Sequence, residues 1–266
     1  MPHYGIAAWC VDPAGVDRDV FGVAERHGLA TVHLAIGSAD DVASLKRSAW
    51  RAGVGRRCGE SGVRISCLAL NIVEQMAVCG AYGDDLSRRQ FRDIFLAALE
   101  FADEVAAPLI YVPSFGLAEI TSDACLCETA ELVGRAAEAA RPLQIDVASE
   151  NSLGPADTTR LIDLVGLDNF KILFDVYNPL RWGHSPMEII AAEFDSLAAQ
   201  IHVKDGWLPG YGNAPLGEGD GNALEIVREL LRRGFDGTFV LENDYGKARG
   251  LDVQRDLETL KMIGDR

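Results

Sequence analysis

Four apolar runs in the second half of the chain each deliver a residue able to move protons or hold a metal. Val147-Ala148-Ser149 leads into Glu150, Ile172-Leu173-Phe174 into Asp175, and Phe239-Val240-Leu241 into Glu242, while His202 sits inside Gln200-Ile201-His202-Val203. Taken singly, each has an ordinary explanation. A glutamate after a strand starts a solvated loop, an aspartate caps a turn, and a histidine between apolar neighbours is a hydrogen-bonded core residue. Taken together they are not ordinary. Three carboxylates and an imidazole brought to one place repel one another unless a cation lies between them. An oxygen-rich set with one nitrogen suits six-coordinate Mn²⁺ first, with Mg²⁺, Co²⁺ or Zn²⁺ also allowed and positions left open for substrate.

What must bring them together is a set of strands with their ends on one rim. Short β-rich runs alternate with stretches of helical period along the whole chain. The predicted strands are Tyr4–Trp9, Ala30–Ile36, Val63–Leu70, Leu109–Val112, Ile145–Ser149, Lys171–Phe174, Ala199–Val203 and Thr238–Leu241. Several are almost wholly apolar, as parallel strands buried on both faces are. Between them, Val16 to His27 places Val20, Val23 and Ala24 on one face and stops at Gly28. Ser87 with Gln90 forms a capping-box pattern, as do Ser185 and Glu188 around Pro186, and Val253, Leu257 and Leu260 form a last apolar stripe. Eight such units without a linker or composition shift predict an α/β fold, a (β/α)₈ TIM barrel occupying residues 1–266 as a single domain. In that fold the active site lies at the C-terminal strand ends, where Glu150, Asp175, His202 and Glu242 fall.

The bulk composition agrees. The chain has 266 residues, 48 % of them hydrophobic and 24 % charged, which is enough for a large core. A net charge of −15 disfavours phosphate backbones and anionic membranes as partners, though a local basic pocket could still hold one phosphate. The six cysteines, at 10, 58, 67, 79, 125 and 127, include no Cys-x-x-Cys pair and are expected to be reduced. The N-terminal residues lack the pattern of a signal peptide, and no apolar run reaches the ~18 residues of a membrane span. The expectation is a soluble cytoplasmic protein, for which a homo-oligomer is compatible.

Certain stretches carry a family resemblance. Ser149-Glu150-Asn151, Phe174-Asp175-Val176-Tyr177-Asn178, Ile201-His202-Val203-Lys204-Asp205, Pro215-Leu216-Gly217-Glu218-Gly219-Asp220 and Leu241-Glu242-Asn243 resemble the xylose isomerase-like TIM barrel superfamily. It contains sugar-phosphate isomerases and epimerases, inosose and dehydroshikimate dehydratases and the endonuclease IV group. The resemblance is strong over residues 145–245 and architectural before them. It implies one divalent metal on Glu150, Asp175, His202 and Glu242, with Glu150 and Glu242 also serving as acid and base on opposite faces of the substrate. Chelation of a carbonyl and a neighbouring hydroxyl acidifies the α C–H and stabilises an enediolate. The pattern also departs from parts of the superfamily. Asn178 stands where free-ketose 3-epimerases commonly carry a histidine, and Ser152 to Ala156 lack their second glutamate. Asp-x-x-Asn looks more like the phosphorylated-pentulose epimerases, although Tyr177 replaces a frequent glycine. Asn71 and Ser114 at the ends of strands three and four do not supply the extra histidines of the endonuclease branch.

Around this set stand further candidates. Lys204, two positions beyond His202, can share its face and meet a phosphate or carboxylate, or pair with a rim acid. Arg181 and Trp182 follow Asp175 in a loop that could close over substrate or simply pack. Asn178, Trp9 and Asn71 could bind substrate, the indole by stacking on a sugar and the amides through its hydroxyls. His33 reads as a buried hydrogen-bonded histidine and His184 as structural. The glycines at 210, 212, 217, 219 and 221 make the strand-seven loop flexible, a lid or a long turn. Gly217-Glu218-Gly219 lacks the Lys-Ser/Thr of a phosphate loop. The expected activity is a metal-dependent isomerase or 3-epimerase of a keto-sugar or keto-sugar phosphate. The alternative is a dehydratase of an inosose or dehydroshikimate-like cyclic ketone, because the same enolate can expel a β-hydroxyl. A non-catalytic binding subunit is the third reading, disfavoured by the complete ligand set.

Overall fold

A computed structural model of the chain describes residues 2–11 and 20–264. Its eight strands are β1 His3–Ala7, β2 Thr31–Ala35, β3 Arg64–Ala69, β4 Leu109–Ser114, β5 Asp146–Asn151, β6 Phe170–Ile172, β7 Gln200–Val203 and β8 Thr238–Leu241. All pairs are parallel, in the order β6-β5-β4-β3-β2-β1-β8-β7. The two ends of this order also meet. The end of β6 and the segment after it pair with β7 and the residues before it through the parallel bridges Ile172–Leu197 and Asp175–His202, carried by Ala198 N–H to Ile172 O (2.8 Å) and His202 N–H to Phe174 O (2.9 Å). The sheet is therefore a closed (β/α)₈ barrel.

Helices follow each strand: α1 Val20–His27, α2 Ser48–Ser61, α3 Asp85–Glu104, α4 Asp123–Ala140, α5 Pro155–Val165, α6 Pro186–Glu193, α7 Ala223–Arg232 and α8 Val253–Gly264. Their apolar stripes pack on the outward residues of the strands, such as Ile6, Val32, Ile65 and Leu68, in one large core. The inward residues Cys67, Ala69, Leu109, Tyr111, Ala148, Leu173 and Ala198 form a separate, smaller cluster inside the barrel. Period-two alternation thus sends Gln200 and His202 inward while Ile201 and Val203 face helices.

Several boundaries differ from expectation. β1 stops at Ala7 because Trp9 belongs to a short helix, Ala8–Val11. Residues 16–19 of the expected first helix lie outside the described residues. α3 is capped by Asp84, whose carboxylate accepts Ser87 N–H at 2.8 Å, so the Ser87–Gln90 pattern falls inside the helix. A charged Asp cap neutralises the helix dipole as a serine cannot. Ser185 does cap α6, as expected. The cysteines are not all reduced: Cys79 and Cys125 form a disulfide across 46 residues. Spacing could not reveal it, because the turn Gly80–Tyr82 meets the first turn of α4 only in the folded chain, where Gly80 N–H also donates to Glu128. No helix of the described residues is long and apolar enough to cross a membrane.

Candidate metal centre

The four candidate ligands come together. Glu150 near the end of β5, Asp175 just past β6, His202 in β7 and Glu242 just past β8 each offer a donor atom, all within 4.8 Å of one another. Glu150, Asp175 and His202 are buried, and Glu242 is nearly so.

Each carboxylate commits one oxygen to a neighbour. Asp175 Oδ1 accepts the backbone N–H groups of Tyr177 (2.7 Å) and Asn178 (2.6 Å), which fixes the chain as it leaves β6. Glu150 Oε1 accepts the Asn178 side-chain amide, and Glu242 Oε1 accepts Trp9 Nε1–H at 2.9 Å. The other oxygens face the middle. His202 Nδ1 lies 3.1 Å from Glu150 Oε2 and 3.2 Å from Glu242 Oε2. Lys204 Nζ lies 2.7 Å from Glu242 Oε2 and 3.0 Å from Asp175 Oδ2, yet Asp175 Oδ2 is buried without a hydrogen bond of good geometry. Paired with Lys204 by charge but not by a well-formed hydrogen bond, this oxygen can also accept a metal ion.

The charges answer to one another. Burial alone would lower the His202 pKa, but Glu242 and Glu150 outweigh it and raise it to about 10. Burial would raise Glu242, but His202 and Lys204 hold it well below the usual carboxylate range. Asp175 is pushed up to about 7 by burial, with Glu242 and Glu150 adding to it against the pull of Lys204. Lys204 sits above its usual value, since Asp175, Glu242 and Glu150 together overcome its burial. Protonated His202 and Lys204 thus offset two negative charges, and the raised Asp175 relieves part of the third. A divalent cation can take over that role, and the oxygen-rich donor set with one imidazole fits Mn²⁺, Mg²⁺, Co²⁺ or Zn²⁺.

The further candidates divide. Lys204 joins the cluster as an ion-pair partner. Asn178 and Trp9 each donate a side-chain N–H to the cluster, to Glu150 and Glu242, while Asn178 Oδ1 is buried without a hydrogen-bond partner. The Trp9 ring flanks His202, His33 and Tyr111. Arg181 is exposed, its guanidinium 4.9 Å from the Trp182 ring and 4.3 Å from that of Tyr211, with no ion pair among the described residues. Tyr211 is itself 5.8 Å from Lys204 Nζ, so Arg181 stands at the rim. Asn71 opens the turn after β3, its buried Oδ1 without a partner. His33 is buried and hydrogen-bonded, as expected.

The glycines that end the strand-seven loop are pinned rather than free. The buried Asp205 carboxylate accepts the N–H groups of Gly206 (2.9 Å), Gly217 (3.0 Å), Gly219 (3.2 Å) and Gly221 (3.0 Å). A Cβ at Gly219 or Gly221 would lie 2.3 or 2.7 Å from Asp205 Oδ1, so these glycines serve close approach rather than motion. Two residues were missed. Glu74, in the turn after β3, is pushed up to about 7 by burial and by Glu150 and Glu242. Tyr111 meets His202 edge-on, with ring centroids 5.8 Å apart. Glu74 closes no apolar run, whereas the alternation of β4 does carry Tyr111 inward. A groove of about 620 Å³ between α3 and α4 includes Arg88 and Arg135, but these pair with Asp85 and Glu131 beside them, and no strand end reaches it.

With this geometry in place, comparison with known proteins is informative. The profile described as xylose isomerase-like TIM barrel matches residues 21–263. The chain belongs to this family. It is 32 % identical over 203 residues, 75 % of this chain and 72 % of the relative, to the 2-epi-5-epi-valiolone 7-phosphate 2-epimerase of Actinoplanes sp. (strain ATCC 31044 / CBS 674.73 / SE50/110). Two solved structures share the fold of this family member. One is the IOLI protein with a bound zinc atom, at TM-score 0.76 and 12 % identity over 98 % of this chain and 96 % of that one. The other is the D-allulose 3-epimerase of Methylomonas sp. in complex with D-allulose, at TM-score 0.72 and 15 % identity over 98 % and 89 %.

Proposed function

We propose that the chain is a divalent-metal-dependent epimerase that inverts a carbon next to the carbonyl of a polyol ketone, with a phosphorylated ketone as the foremost substrate class. The observation that carries this is the convergence of Glu150, Asp175, His202 and Glu242 within 4.8 Å, each with a donor turned to the middle. Family membership and 32 % identity to an epimerase support an enzyme of the sugar isomerase and epimerase kind. That relative's name describes inversion at carbon 2 of a phosphorylated ketone, and related folds include a zinc-bound protein and a D-allulose complex. Mn²⁺ is the metal this donor set suits first.

A bound divalent ion would draw electron density from the substrate carbonyl and so acidify the adjoining C–H. The rest falls to the chain. Glu150 and Glu242 enter from β5 and β8, and one removes the α proton while the other returns a proton to the opposite face of the same carbon. Composition is unchanged and only configuration is inverted. Hydrogen bonds from Asn178 and Trp9 steady the two carboxylates and still leave lone pairs to take a proton. Asp175 and His202 complete the cradle, and Lys204, released from the carboxylates by the cation, can donate to a substrate oxygen. Arg181, at the rim and free of any acid, is placed for an anionic group.

The test is NMR of a panel of free and phosphorylated ketoses and cyclic polyol ketones in D₂O with Mn²⁺. Epimer formation with solvent deuterium at the α carbon is expected. Loss of water instead would make the chain a dehydratase, and absence of any exchange across the panel would count against the proposal.

A further inference from the structure

Behind His202, on the side away from the carboxylates, a second histidine continues the hydrogen bonding. His202 Nε2 lies 3.1 Å from His33 Nδ1, and His33 Nε2 lies 2.6 Å from Gln200 Oε1. Gln200 Nε2–H in turn donates to Ser66 O at 2.7 Å. His33 and His202 are fully buried and Gln200 nearly so, with Trp9 packed against both rings and Tyr111 edge-on to His202. Ring N–H groups enclosed in this way must find their partners within the chain.

The direction of the relay follows from its far end. A backbone carbonyl only accepts, so the Gln200 amide nitrogen must face Ser66 and its oxygen must face His33. That oxygen also only accepts, which places a proton on His33 Nε2. The opposite nitrogen of a neutral His33 is then an acceptor, so the hydrogen between the two rings belongs to His202 Nε2. His202 is left with Nδ1, 3.1 and 3.2 Å from Glu150 Oε2 and Glu242 Oε2, as the nitrogen that faces the carboxylates and that is bared when the ring gives up its second proton to a metal.

We propose that Gln200 and His33 are positioning residues that hold His202 as its Nε2–H tautomer and so aim its Nδ1 lone pair into the metal centre. This rests on reading Glu150, Asp175, His202 and Glu242 as metal ligands. Outer partners of this kind fix the ring and tautomer of a ligating histidine, and their loss typically costs about 10- to 100-fold in metal affinity. The usual partner is a carboxylate or carbonyl. Here a second imidazole relays the constraint to an amide two residues before the ligand on the same strand.

Two measurements test it. Long-range ¹H–¹⁵N correlation on ¹⁵N-histidine-labelled protein, with His33 assigned by its absence in His33→Phe, reads the tautomer before and after addition of Zn²⁺. His33 is expected to carry its proton on Nε2 and a bare Nδ1 in both states. A proton on His33 Nδ1 in either state overturns the proposal. Mn²⁺ affinity is then compared in folded variants. Gln200→Leu should weaken it about 10- to 100-fold, whereas Gln200→Glu, whose carboxyl can donate to Ser66 and accept from His33, should remain near wild type. Wild-type affinity in Gln200→Leu, or equal loss in both variants, overturns it. Failure of wild type to bind Mn²⁺ would instead sink the metal reading, while the tautomer of His33 in the metal-free protein still stands as a separate observation.

Discussion

Asn178 and Trp9 hold one oxygen of Glu150 and of Glu242, and backbone amides hold one of Asp175, so each carboxylate meets the centre with its other oxygen. If Glu150 and Glu242 share proton transfer, Glu150→Gln and Glu242→Gln should each lower turnover by about 10²- to 10⁴-fold while metal is retained. One of the two should still exchange the α proton of one epimer with solvent, because a single base can remove and return a proton on its own face. Substantial turnover in both metal-loaded variants would place proton transfer elsewhere. A second expectation concerns His202. Its pKa near 10 in the metal-free protein means it carries a proton at neutral pH, whereas a metal takes only the neutral ring. Mn²⁺ binding at pH 7.5 should therefore release about one proton, and affinity should rise with pH between about 6 and 9. Calorimetry in buffers of different ionisation enthalpy reads this directly, and a heat independent of buffer would contradict it. The four clustered side chains were legible because each is one polar residue delivered by an apolar run. The bonds from Trp9 to Glu242 and from Asn178 to Glu150 were not legible because these pairs lie 233 and 28 residues apart in sequence, a pairing only barrel closure creates.

At the scale of elements, short apolar β-rich runs between stretches of helical period predicted all eight strands, with Thr238–Leu241 matched to the residue. Ends were less legible where a polar side chain redirects the backbone, as Asp175 does after β6 and Asp84 does before α3. The glycine-rich loop after β7 shows the same limit. Glycine reads as freedom, but here it lets four amides reach one buried carboxylate. Asp205→Ala should strand those donors and destabilise the fold by at least about 3 kcal/mol. The amides of Gly217, Gly219 and Gly221 should exchange slowly with solvent in the native chain and fast in the variant. Fast exchange in the native chain would restore the lid reading. The Cys79–Cys125 link escaped the sequence because neither cysteine belongs to a local motif.

For the whole molecule, the seven parallel strand pairings and the closing bridge at Asp175–His202 would make metal binding and folding parts of one balance. An ion at about 100 times its dissociation constant should stabilise the barrel by about 2.7 kcal/mol, so chelation should lower the melting temperature. Superimposable melts with and without chelator would count against an occupied site. The metal-free protein carries its own signature. The folded pKa of His202 lies above its ordinary 6.5, so the stability it contributes is full below pH 6.5 and lost as pH rises through about 10. Melting temperature without metal should fall across that window, and saturating Mn²⁺ should remove the decline because the bound imidazole is already neutral. A net charge of −15 does not by itself decide what binds, since the relevant field is that of four side chains at one rim. The most direct measurement is therefore a titration of purified, chelator-treated protein with Mn²⁺, followed by the EPR signal of the free ion, beside Asp175→Ala and His202→Ala. The account expects one saturable site per chain in the wild type and its loss in both variants. Absence of saturable binding, or binding that both variants retain, would contradict it.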